Sequence, residues 1–106
     1  MSSTKEYLNF VLEQLNYTED ISYRPMMGEY IIYCQGKVVG GIYDNRFLVK
    51  QTKASKRLLS DASLELPYEG AKEMFLVDNL EDRDFLRELL ESMVLELPAP
   101  KPKRKK

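Results

Sequence analysis

Residues 29–50 contain three β-branched and aromatic runs separated by gaps of only two residues, and this spacing constrains the chain more than any other feature. Glu29-Tyr30-Ile31-Ile32-Tyr33-Cys34 and Lys37-Val38-Val39-Gly40-Gly41-Ile42-Tyr43 flank Gln35-Gly36, and Arg46-Phe47-Leu48-Val49-Lys50 returns after Asp44-Asn45. Branched and aromatic side chains fit a pleated, half-buried surface. A two-residue link can only reverse the chain, because parallel neighbours need a crossover of about a dozen residues or more. Glycine tolerates the positive φ that such links require. The block is therefore an antiparallel meander of three strands, or four if Ile21–Met26 adds an edge. Pro25 suits an edge, since it cannot donate to a ladder.

Helical periodicity flanks this block. Leu8, Val11, Leu12 and Leu15 fall at i, i+3, i+4 and i+7, one face of a helix that Tyr7 and Phe10 widen. Ser3 followed by Glu6 matches a capping box, and the helix is expected to stop near Asn16. Thr52 is placed to cap a short helix carrying Ala54, Leu58 and Leu59. Leu64 to Pro67 is ambiguous, and Glu73 to Val77 reads as a short buried strand. A last helix is expected from Asn79 or Leu80, with Phe85, Leu86, Leu89, Leu90, Met93 and Leu97 inward, ended by Pro98. Strands joined by tight turns, with helices before and after, argue a two-layer α+β fold in which helices cover an antiparallel sheet. Leu12, Ile32, Phe75, Leu86 and Leu89 should form its core.

The 106 residues suit one domain, read as residues 1–98, with a tail at 99–106. That tail carries Lys101, Lys103, Arg104, Lys105 and Lys106 among prolines and no acids, a composition that predicts no packed structure. Sixteen basic residues less these five leave 11 against 17 acids, a body of net −6. The body should repel nucleic acid at long range and the tail attract it. With no apolar leader behind Met1, a single cysteine and no long apolar run, a cytoplasmic protein without a membrane segment is expected.

The composition gives little support for catalysis. The chain has no histidine, so the commonest general base and metal ligand is missing. One cysteine without histidine cannot build a zinc site of the usual kind, and no metal or cofactor is expected. Cys34 reads as a small apolar residue in the sheet, unless Lys37 across the hairpin activates it. Gly40-Gly41 lacks the surroundings of a phosphate loop and points to a bulge or a close crossing by a helix. Tyr30, Tyr33, Tyr43, Phe47 and Tyr68, with Arg24, Lys37, Arg46 and Lys50, could stack nucleobases, but sheet packing under helices explains the same aromatics. The loop Arg24-Pro25-Met26-Met27-Gly28 has adjacent, adaptable methionines, which suit either a partner surface or a core gap. Arg24, Met26, Met27 and Gly28 are thus candidates for partner binding. Lys101, Lys103, Arg104, Lys105 and Lys106 are candidates for weak, sequence-independent nucleic-acid contact.

The stretch from Tyr23 to Tyr33, the run Gly36-Lys37-Val38-Val39-Gly40-Gly41-Ile42-Tyr43-Asp44 and the segment Leu66-Pro67-Tyr68-Glu69-Gly70-Ala71-Lys72-Glu73-Met74 together resemble the N-terminal domain of the TfoX/Sxy family. The resemblance runs from the first helix to about Pro98. It implies an α-β-β-β-α-β-β-α order related to the secretion-chaperone-like folds. It also implies a bacterial regulatory or interaction module, the family being named for competence regulators that act with a cAMP-responsive activator. Those regulators carry a second, helical C-terminal domain, where this chain has its lysine-rich tail. A non-catalytic module that binds a protein partner, or a second copy of itself, is the expectation.

Overall fold

The computed structural model describes residues 3–97. The elements run α1 (Lys5–Gln14), β1 (Ile21–Met26), β2 (Glu29–Cys34), β3 (Lys37–Ile42), β4 (Phe47–Val49), α2 (Lys53–Leu58), β5 (Leu64–Glu65), β6 (Met74–Leu76) and α3 (Arg83–Val94). All six strands form one antiparallel sheet in the order β1-β2-β3-β4-β6-β5. The fold is α+β, as the spacing requires. Ile21–Met26 is a strand, so the order has four strands before α2, one more than the resemblance implies. The tail at 99–106, with Pro98, lies outside the described residues.

Three two-residue hairpins build the meander. Met27-Gly28, Gln35-Gly36 and Asp44-Asn45 all have φ between 53° and 87°. Positive φ at both central residues is the type I′ signature, whose twist matches that of the flanking strands. The last two turns were legible in the sequence. The first was not, because Met27 is a poor residue for the left-handed region. Arg24, Pro25 and Met26 consequently belong to the edge strand expected for Ile21–Met26, and of the Arg24–Gly28 loop only Met27-Gly28 is a turn. Pro25 does sit on an edge strand. The Asp20 carbonyl accepts from the Gln35 N–H at 2.9 Å, at the start of the Ile21–Cys34 register. Alternation from there turns the backbone groups of Ile21, Tyr23 and Pro25 outward. Proline thus removes a donor from the free edge, one way proteins discourage further strand pairing.

Register assigns the two faces of the sheet. Ile32, Cys34, Val39, Ile42, Phe47, Val49 and Phe75 face the helices and share one core with Leu8, Val11 and Leu15 of α1 and Leu86, Leu89, Leu90 and Met93 of α3. Of the expected core residues, Ile32, Leu86 and Leu89 are fully buried and Phe75 nearly so. Leu12 is only half-buried, because Leu8, Val11 and Leu15 define the inward line of α1 and Leu12 lies to its side. A bulge between Ile32 and Tyr33 opposes two β2 residues to Val38, Val39 and Gly40. The expected close approach at Gly40 exists, but a strand makes it: a Cβ there would lie 2.0 Å from the Leu48 carbonyl oxygen of β4.

Helix ends depart from the sequence reading in instructive ways. Thr4, not Ser3, caps α1, accepting from the Tyr7 N–H at 3.1 Å. Ser3 is drawn away by a tertiary partner, donating to Glu29 Oε1 at 2.6 Å and accepting from the Asn45 N–H at 3.0 Å. Glu29 Oε1 also accepts from the Asp44 N–H at 3.0 Å, so one carboxylate joins the chain start, β2 and the β3–β4 turn. Thr52 caps α2 as expected, in a capping box with Ser55. The Glu96 carboxylate adds bonds from the Lys53 and Ala54 N–H groups at 2.9 and 2.7 Å. Helix α3 starts later than its apolar pattern suggests, because Asp82 caps it through the Phe85 N–H at 3.1 Å.

Met27 tests this account of the first turn. Its side chain is 95% exposed, so replacement removes little packing. Asn-Gly is the preferred pair for a type I′ turn. Met27→Asn should raise stability by about 0.5–1 kcal/mol, read as a higher urea midpoint at unchanged slope.

Candidate functional site

The helices cover one sheet face only. On the other, a loop crosses the strands. The segment from Leu66 to Glu73 is held at both ends across β4. Arg46, just before β4, donates to the Leu66 carbonyl at 3.1 Å and pairs with Glu65 at 2.7 Å. Gln51, just after β4, donates to the Glu73 carbonyl at 3.0 Å. Between these ties Pro67 is buried, and Leu48, which register turns away from the helices, is fully buried.

Beside this crossing lies a groove of about 670 Å³. Its floor is apolar, made by Met26, Ile31, Val38 and Met74 from three neighbouring strands and β6 beyond β4. Tyr43 and Tyr68 stand at one end with ring centres 6.0 Å apart. Gly41 makes room for the first of them: a Cβ at that position would meet the Tyr43 ring at 2.6 Å. Burial, with Tyr68 and Glu29 nearby, raises the Tyr43 phenol above its ordinary value, so it stays a neutral donor. Lys50 and Lys72 line the other end with Glu73.

The structure divides the candidates proposed from sequence. Met26 lines the groove, and Arg24 lies on the same sheet face two residues away. Met27 and Gly28 form a turn instead, where Gly28 accepts from the Ser3 N–H at 3.0 Å. The five tail residues Lys101, Lys103, Arg104, Lys105 and Lys106 lie outside the described residues. The aromatic set is also split: Tyr30 and Phe47 face the helices, while Tyr33, Tyr43 and Tyr68 are on the open side. Lys37 and Arg46 are engaged elsewhere, the first donating to the Val94 carbonyl at the end of α3 at 3.0 Å. Sequence reasoning missed Val38, Pro67, Lys72 and Met74 as groove residues. The strands carrying Val38 and Met74 were visible, but the path of the crossing loop that carries Pro67 and Lys72 was not.

Cys34 is fully buried among core residues. Burial, followed by the charges of Glu91 and Asp20, pushes its thiol up to about 11. Lys37 does not activate it, since its ammonium is held by α3. Among the described residues no cluster of histidine, cysteine and acidic side chains is arranged to hold a metal, and no helix is long and apolar enough to cross a membrane.

A three-helix, six-stranded α+β domain with one uncovered, grooved sheet face is thus the class of protein defined here. The sequence model of the TfoX N-terminal domain matches residues 13–92, and the chain belongs to that family. It is also similar to an uncharacterised 12.7 kDa protein in the trpE 5′ region of Spirochaeta aurantia, at 35% identity over 107 residues covering 100% of this chain and 93% of the relative. No solved structure matches the chain.

The buried thiol has two measurable consequences. Alkylating reagents should label Cys34 slowly in the native protein and rapidly after denaturation. The folded state holds the thiol proton to higher pH than the unfolded state, so stability should fall as pH rises from the ordinary thiol value of 9.0 towards 11. The full loss is up to about 2–3 kcal/mol. Thermal midpoints of Cys34→Val against the native sequence should show a shallower decline over that range.

Proposed function

We propose that this protein is a non-catalytic interaction module, and that it binds through the groove on its open sheet face. The observation that carries this reading is the combination of an apolar floor, two tyrosines and two lysines in a concavity that no helix covers. Sites for small ligands are commonly such clefts, apolar with a few polar groups. An enzyme would need a positioned base or nucleophile within reach of the groove. The described groove has no histidine or cysteine, and its tyrosines, lysines and Glu73 serve in this reading to bind rather than to react. A regulatory role in the bacterial cytoplasm is the physiological setting that fits family membership.

The groove reading is tested by titrating isotope-labelled protein with small aromatic and aliphatic fragments. Amide shifts should cluster at Ile31, Val38, Tyr43 and Met74. Shifts confined to the helix side or to residues after Pro98 would overturn it.

The charge asymmetry supports a second, separable activity. Lys101, Lys103, Arg104, Lys105 and Lys106 follow a body of net −6. Point charges on lysine stems contact phosphates without reading base edges. Weak binding to random duplex DNA, lost at higher salt, is the expected result of a titration at two ionic strengths. A chain ending at Pro98 should lose that binding and keep its thermal midpoint; equal binding by both forms would place the contact in the folded body.

A further inference from the structure

The groove is polar at one end and aromatic at the other. Lys50 follows β4, and its N–H donates to the Val39 carbonyl at 2.9 Å. Tyr43 lies four residues beyond Val39, so the two ends are separated by about 13 Å at the usual strand rise. The Gln51–Glu73 bond draws together the strand end carrying Lys50 and the loop carrying Lys72. Two lysines against one glutamate, Glu73, leave this end positive on a body whose net charge is negative. The floor between the ends is aliphatic and thioether.

The backbone beneath that floor is already used. Strands β2, β3, β4 and β6 are each paired on both sides, so the groove has no free ladder of N–H and C=O groups. An extended peptide gains much of its affinity from main-chain pairing at a sheet edge. It would find only side chains here, and the long free edge at β1 is interrupted by Pro25. A compact ligand with its own charge and apolar body meets no such loss.

We infer that the groove takes a small amphipathic organic anion, its charged head between Lys50 and Lys72 and its apolar or aromatic body along the floor towards Tyr43 and Tyr68. This rests on the groove reading above and names the ligand class for it. The head is positioned by charge, and the body is held by burial against Val38, Ile31 and the methionines.

A matched pair of probes tests this with the full chain. Anilinonaphthalenesulfonate carries a sulfonate; phenylnaphthylamine has the same aromatic body without it. Fluorescence titration of the native protein should give one saturable site for the sulfonate, roughly tenfold tighter than for the neutral probe. Lys50→Gln with Lys72→Gln should remove that preference and leave the neutral probe unaffected. Val38→Trp, which fills the floor, should weaken both. Decanoate should displace the sulfonate probe and decanol should do so poorly. Circular dichroism and thermal midpoints establish that each variant is folded, and a milder Val38→Leu replaces any tryptophan variant that is not. Equal affinity for both probes, with no effect of the lysine changes, would overturn the anion assignment while leaving the groove as a binding site. Saturable sulfonate binding that survives Val38→Trp, or disappears on deleting the residues after Pro98, would place the probe elsewhere and overturn the inference. So would absence of binding by either probe, or displacement by an acidic peptide in preference to decanoate.

Discussion

Three two-residue turns with positive φ fix which way every side chain of the meander faces, and the rest of the structure depends on that register. In a strand the faces alternate residue by residue, so a slip of one position would exchange core and surface. With the turns in place, Ile32, Ile42, Phe47 and Val49 meet the helices, while Ile31, Val38 and Leu48 look the other way. The bulge at Val38–Gly40 is the single departure. It lets Val39 enter the core while keeping Val38 on the open side, and it places Gly40 where β4 approaches too closely for any side chain. The glycine pair is therefore structural: one member accommodates a strand backbone and the other a tyrosine ring.

Polar ties convert this sheet into a defined object. At one end of the meander the Glu29 carboxylate collects Ser3 and the Asp44 N–H, and Asn45 reaches back to the Thr4 N–H at 2.9 Å. These bonds link two turns and the start of α1, residues far apart in sequence. At the other end Glu96 supplies acceptors to the first N–H groups of α2, and Lys37 supplies a donor to the Val94 carbonyl, at the last residue of α3. Both satisfy groups that a helix leaves unpaired, and both have the sign that the helix dipole favours. Charges that looked free in the sequence are thus committed to holding elements together, which narrows those left for binding.

The site follows from the same economy. Six strands present two faces, and three helices cover one. The open face would leave apolar side chains in water, and the Leu66–Glu73 crossing shields only the part over β4. What remains beside it is the groove. Arg46 and Gln51 pin the loop whose path forms the groove wall.

Local chemistry along the chain was enough to determine the strands of residues 29–50 with their two turns, the Leu8-Val11-Leu15 line of α1, the Leu86-Leu89-Leu90-Met93 line of α3, the Thr52 cap, the edge position of Pro25 and the burial of Cys34. Each depends on residues a few positions apart: period, β-branching, turn geometry, a missing N–H. The residues Arg24, Met26, Met27 and Gly28 show where that locality ends. They are contiguous in sequence and resemble one loop, yet Met26 lines the groove while Met27 and Gly28 form a turn, because alternation and hairpin geometry separate neighbours. Conversely, Val38, Lys50, Lys72 and Met74 are dispersed in sequence and meet in one concavity. Only tertiary structure decided that, since it depends on two long-range hydrogen bonds across β4 that carry no signature in the sequence. The same holds for Ser3, whose local pattern promised a cap but whose hydroxyl accepts from the Asn45 N–H instead and donates to the Glu29 carboxylate twenty-six residues away.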